Sequence, residues 1–167
     1  MKKNAIIPLI VLLLLMFTDS LARSAEVGEP LPDFSVQTFD GKSLSRATFA
    51  GKPLLLVFWN TWCSDCMREL PEINRLVNKY APRGLAVLAI NTALNDSESK
   101  ARAYWSKYAF QFPTGFDRTF ELGSLFKVRG VPTVFLVDTK GIVRYKQSLL
   151  PRDIDERIKQ LTLQKSP

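Results

Sequence analysis

Leu54 to Trp59 reads Leu-Leu-Leu-Val-Phe-Trp, six apolar residues in a row after the turn signal Gly51-Lys52-Pro53. A run that short, bounded by turn residues, predicts a strand buried on both faces, and such strands belong to α/β sheets. From Cys63 to Tyr80 the pattern changes to the helical period, with Leu70, Ile73, Leu76, Val77 and Tyr80 on one face. Pro71 falls inside that helix, where a kink is expected. Leu85 to Ile90 predicts a second buried strand. Upstream, Phe34 to Thr38 alternates as a half-buried strand, and the Asp40-Gly41 turn returns Lys42 to Leu44 as its hairpin partner. Downstream come a polar helix over Ser97 to Tyr108, with Ser97 as N-cap, and a short helix over Thr119 to Phe126. A strand at Val134 to Val137 follows, with a hairpin return through Asp138-Thr139-Lys140-Gly141 to Ile142–Gln147. The last helix covers Asp153 to Leu163. The order β-β-β-α-β-α-α-β-β-α predicts an α/β fold, a mixed sheet with helices on both faces.

The first 22 residues follow a different pattern. A basic start, Met1-Lys2-Lys3-Asn4, precedes 13 apolar residues from Ala5 to Phe17, interrupted in character only by Pro8. Ser20-Leu21-Ala22 then fits a small-x-small cleavage site. Thirteen residues are short for a bilayer span, which needs about 20. Residues 1–22 are expected to be a signal peptide or an N-terminal membrane anchor. Residues 23–32, with Gly28, Pro30 and Pro32, form an extended lead-in, and 33–164 a single domain. Export places that domain in the periplasm or on the outer face of the cytoplasmic membrane.

Composition narrows the chemistry. The 167 residues include two cysteines and no histidine. A Ser-His-Asp or Cys-His nucleophile system is excluded because its imidazole base is missing. A structural zinc site wants four Cys or His ligands and finds two. The net charge of +7 is spread along the chain and never forms a Lys/Arg cluster, so nucleic acid is not an expected partner.

Both cysteines stand together in Trp62-Cys63-Ser64-Asp65-Cys66, after a buried strand and at the start of a helix. The unpaired N–H groups and positive dipole end of a helix stabilise a thiolate, lowering its pKa below the free value of about 8.5. Three residues apart on a first turn, two sulfurs can also close a disulfide. The first cysteine faces outward and the second lies deeper. Cys63 is therefore expected to be the accessible, attacking thiolate and Cys66 the resolving thiol. Asp65 between them sets a negative charge against the helix dipole. That disfavours the thiolate and makes the reduced pair a stronger reductant.

Phe58-Trp59-Asn60-Thr61-Trp62-Cys63-x-x-Cys66 resembles the active-site segment of the thioredoxin superfamily, and Gly130-Val131-Pro132-Thr133 is similar to its cis-proline loop. The front hairpin and the helical insert at Ser97–Tyr108 resemble the TlpA/ResA-type branch of exported thiol–disulfide oxidoreductases. The likeness spans about residues 27–164. It implies a thioredoxin-like mixed sheet with an N-terminal β-hairpin and a central helical insert. It also implies a cis peptide before Pro132, with Val131 and Thr133 beside it as partner-binding backbone. Several members of that branch reduce the haem-binding cysteines of apocytochrome c. The implied partners are a disulfide-containing protein, either apocytochrome c or a copper-site assembly protein, and a membrane thiol that returns the electrons. No cofactor beyond the Cys63–Cys66 disulfide is implied.

Two departures stand out. Thioredoxin's buried aspartate, six residues before the first cysteine, is replaced by Val57. The glutamate that cytochrome-maturation members carry after the next strand is missing from Asn91-Thr92-Ala93-Leu94-Asn95; Asp96 and Glu98 come next and could serve only if their loop bends back. Trp62 is expected beside the sulfurs, Trp59 in the core. Tyr104, Trp105 and Tyr108 are expected to pack rather than to form a groove. Two other readings compete: a peroxiredoxin-like peroxidase, which needs a Thr-x-x-Cys setting and an assisting arginine, and a secreted binding domain with a structural disulfide.

Overall fold

A computed structural model describes residues 25–163; the targeting segment assigned to residues 1–22 lies outside them. The elements are β1 Ser35–Gln37, β2 Ser43–Ser45, β3 Leu54–Trp59, α1 Ser64–Tyr80, β4 Ala86–Asn91, α2 Glu98–Tyr108, β5 Thr114–Phe116, α3 Glu121–Leu125, β6 Thr133–Val137, β7 Val143–Gln147 and α4 Ile154–Leu163. β1 and β2 pair as a separate hairpin. The main sheet has the order β5-β4-β3-β6-β7. β4 runs parallel to β3 and to β5, whereas β6 is antiparallel to β3 and β7 to β6.

β3 is central and wholly buried because both its faces are covered. Its alternation divides the core in two. Leu55, Val57 and Trp59 join Leu70, Ile73 and Leu76 of α1 and Ile158 of α4. Leu54, Leu56 and Phe58 face the other way, onto Phe34, Val36, Phe126 and Phe135. Val57, which replaces thioredoxin's aspartate, lies in the first layer as an ordinary core residue. α1 runs on through Pro71 to Tyr80.

The sequence pattern misses one strand, β5. It is three residues long and centred on a glycine, which gives no periodicity to read. Gly115 is required there by contact rather than by its dihedrals. A Cβ at this position would collide with the Val36 side chain and the Gln37 carbonyl. The close approach lets the front hairpin bridge to the sheet edge, with the Phe39 N–H donating to the Thr114 carbonyl at 2.8 Å. No helix among the described residues is long and apolar enough to cross a membrane.

Candidate active site

The site forms where β3 ends and α1 begins. Cys63 is the N-cap of α1: its backbone is extended and its Sγ accepts the Cys66 backbone N–H at 3.1 Å. This bond meets one of the orphan donors of the first helical turn and orients sulfur toward the helix dipole. Cys63 and Cys66 form a disulfide, with Cα atoms 5.2 Å apart. The outward-facing Cys63 of the sequence reading needs correction for this oxidised state. Both residues are buried, Cys63 at 5% exposure and Cys66 at 1%, because the disulfide folds Cys63 back against its own helix start.

Trp62 is 55% exposed, and its indole N–H donates to the Leu94 carbonyl at 2.8 Å. Trp59 is fully buried. Its indole N–H donates to Thr114 Oγ1 at 3.1 Å, and its ring packs against Tyr104 and Trp105. Tyr104 and Trp105 are thus packing residues, while Tyr108 stays about half exposed at the outer end of the same aromatic cluster. Asp65 is ion-paired with Arg68 one turn along, so part of its charge is already countered before it reaches the cysteines.

The Val131–Pro132 peptide is cis. Thr133 pairs with Phe58 in the β6–β3 ladder, which sets Val131 and Pro132 at the same end of the sheet as Trp59 and the cysteines. The Thr133 hydroxyl donates to the Gly130 carbonyl at 2.6 Å and closes that turn. Cys63, Cys66, Trp62, Asp65, Val131, Pro132 and Thr133 therefore gather at one end of the sheet.

Sequence reading missed a layer of polar side chains beneath this site. Asn60, Asn91 and Thr92 are fully buried. The Thr92 hydroxyl donates to Asn60 Oδ1 at 2.6 Å, and the Asn91 side-chain N–H donates to Asp96 at 2.8 Å. The available signal was positional. Trp59 and Asn91 are register partners, so polar residues directly after them meet at the carboxyl ends of two adjacent parallel strands. Asp96 does bend back, accepting from Thr61, two residues before Cys63. Burial pushes its carboxyl up, but hydrogen bonds from Asn91, Thr61 and Ser97 outweigh this and hold it below the ordinary carboxylate range. Asp96 is thus ionised near neutral pH and is not a store of protons. Glu98 is paired with Arg102 and Arg118. The acid with the opposite tendency is Glu69, one turn after Cys66. Burial raises its carboxyl, against the lowering effect of the Leu150 N–H that it accepts at 2.8 Å.

Known proteins resemble this chain over nearly its whole length. The AhpC/TSA family profile matches residues 27–146. "Thiol-disulfide oxidoreductase ResA" of Bacillus cereus is 29% identical, over 97% of this chain and 99% of its own. "Thioredoxin-like protein YneN" of Bacillus subtilis is 36% identical, over 70% of this chain and 68% of its own. A crystal structure described as a putative thiol:disulfide interchange protein DsbE from Chlorobium tepidum superposes with a TM-score of 0.71. It is 28% identical and covers 83% of this chain and 96% of that one. The chain therefore belongs to the AhpC/TSA family, among its TlpA/ResA-type thioredoxin-like proteins.

Proposed function

We propose that this thiol–disulfide oxidoreductase works outside the cytoplasm as a reductant of disulfides in partner proteins, with Cys63 attacking and Cys66 resolving. In the reduced protein the Cys63 thiolate attacks one sulfur of the partner's disulfide. A Cys63–partner bond forms and the partner's other sulfur leaves as a thiolate. Cys66 gives up its proton and attacks Cys63 Sγ, releasing the partner's second sulfur. Two electrons have passed to the partner, and the product is the Cys63–Cys66 disulfide. Position supports this order of events. Cys63 is at the N-cap, where the first-turn N–H groups stabilise its thiolate, while Cys66 lies within the helix and deeper in the core. The proton that Cys66 gives up neutralises one of the partner's departing thiolates.

Val131, Pro132 and Thr133 provide the backbone edge against which an extended partner segment would lie, as in strand addition. The partner we favour is a protein whose paired cysteines must be reduced before they take haem or copper: apocytochrome c first, a copper-site assembly protein second. A membrane thiol would return the electrons, since an exported compartment is oxidising. The leader-like pattern of residues 1–22 supports this location. The observation that carries the reading is the closed Cys63–Cys66 pair at the start of α1, at the same sheet end as the cis Val131–Pro132 turn. A peroxidase is less suited to the site: Asn60, rather than threonine, stands three residues before Cys63, and its side chain is committed to Thr92 and Asn91.

The test is trapping. Cys66→Ala, expressed with its own leader and purified under acid quench, is expected to carry partner proteins in mixed disulfides that dithiothreitol releases. Cys63→Ser is expected to carry none. Equal capture by the two variants would defeat the assignment of roles.

A further inference from the structure

The turn that delivers Cys63 to the helix is anchored by one carboxylate. Thr61 donates twice to Asp96, from its backbone N–H to Oδ2 at 2.6 Å and from its hydroxyl to Oδ1 at 2.7 Å. Asn91 donates to Oδ2 at 2.8 Å, the Ser97 N–H donates to Oδ1 at 2.9 Å, and Asn60 reaches Oδ2 at 3.4 Å. Five donors converge on two oxygens, with no proton left to place. The same loop grips the turn elsewhere: the Leu94 carbonyl accepts the Trp62 indole, and the Thr92 N–H donates to the Trp59 carbonyl at 3.2 Å. To make these contacts the loop holds two non-glycine residues, Ala93 at φ 61° and Asn95 at φ 51°, in the left-handed region. That conformation is unfavourable for alanine, though asparagine tolerates it, and at Ala93 it persists only where surrounding contacts dictate it.

We propose that Asp96 is the positioning residue of the cysteine site: through Thr61 it fixes the Asn60–Trp62 turn, and so fixes Cys63 Sγ at the head of α1 with Trp62 held beside it on the Leu94 carbonyl. The proposal rests on the reading of Cys63 as the attacking thiol. Two details favour positioning over general support of the fold. Four of the five donors come from Asn60 and Thr61, in the turn before Cys63, and from Ser97 in the loop itself; the fifth is Asn91 at the end of β4. The Cys63 N–H is also part of the turn, donating to the Asn60 carbonyl at 3.3 Å. Any shift of Asn60 or Thr61 therefore passes directly to the cysteine.

Asp96→Asn is the sharpest variant, because it keeps the shape and removes an acceptor. Whichever way the amide is turned, its NH2 faces a backbone N–H that cannot reverse: that of Thr61 on one side, that of Ser97 on the other. Asp138→Asn is the matched control. Asp138 likewise clamps a turn, accepting from the Lys140 and Ile142 N–H groups and from Arg144, but at the opposite end of the sheet, where Val137 faces Leu54. Reduced wild type, both variants and Cys63→Ser are compared in insulin disulfide reduction. Hydrogen exchange at the Thr61 amide and the Trp62 indole N–H is measured alongside.

Asp96→Asn is expected to lower kcat at least tenfold and to speed exchange at both N–H groups at least tenfold. Asp138→Asn is expected to stay within twofold of wild type on both measures. Insulin reduction by Asp96→Asn within twofold of wild type overturns the proposal, as does a loss no larger than that of Asp138→Asn. The underlying reading fails separately, if Cys63→Ser reduces insulin as well as wild type or wild type does not reduce it. Even then, unchanged protection at Thr61 and Trp62 in Asp96→Asn would still overturn the positioning role.

Discussion

At the residue scale, the site depends on an N-cap that is also one of the two redox cysteines. Most caps offer an oxygen to the first-turn N–H groups; here the acceptor is Cys63 Sγ, taking the Cys66 N–H. The bond favours a charged sulfur, since hydrogen bonds to a charged acceptor are the stronger ones. Asp65 opposes that effect only weakly, because it is half exposed and paired with Arg68. Asp65→Asn should therefore raise the midpoint potential by less than about 20 mV, a change worth under about 1 kcal/mol for a two-electron couple. Equilibration of the variant with glutathione buffers measures this. The direction follows from the charge: removing the acid stabilises the thiolate, and so the reduced form. The cysteines and the Trp62 and Pro132 motifs were legible in the sequence because their chemistry is tied to short spacings. The Asn60–Asn91–Thr92–Asp96 layer was not, because its members come from two strand ends and a loop and show no spacing until the sheet aligns them.

At the scale of elements, α1 is held against α4 by a compact polar staple at the end away from the cysteines. Asp155 accepts from Arg75 at 2.6 Å and from Lys79 at 2.5 Å, and the buried Tyr80 donates its hydroxyl to the same carboxylate at 3.0 Å. Arg75 first and Lys79 second hold the Asp155 carboxyl far below the usual range. A depressed carboxylate contributes stability that is complete above its ordinary pKa of about 4. That contribution is lost as the pH falls from there toward the depressed value. Asp155→Asn should cost about 1 kcal/mol at pH 7, kept small by the solvent exposure of the pair. The cost should shrink below about pH 4, where protonation of the unfolded state begins to remove the wild type's advantage. Urea unfolding at the two pH values measures both. Gly115 makes a second prediction at this scale. Gly115→Ala forces the hairpin off β5 and should destabilise by about 1–3 kcal/mol, read as a lower urea midpoint. Long elements such as β3 and α1 were read from periodicity with nearly their observed bounds. β5 was not, because three residues around a glycine are defined by what approaches them and not by their own pattern.

At the scale of the whole molecule, the sheet brings two distant segments to one edge: the Cys63–Cys66 turn after β3 and the cis Val131–Pro132 turn before β6. This arrangement follows from the antiparallel pairing of β6 with β3, which sets the start of one strand beside the end of the other. The fold class was accessible from the order of elements, and the juxtaposition from the resemblance. The burial of Cys63 in the disulfide form belongs to the tertiary structure alone. The central claim is that this pair gives electrons to partner disulfides. The most direct measurement is the midpoint potential of Cys63–Cys66, obtained by equilibration against dithiothreitol and glutathione with the thiols quantified by mass after alkylation. The account predicts about −250 mV, close to thioredoxin at about −270 mV; a value above about −160 mV, toward the strong oxidants near −120 mV, would contradict it.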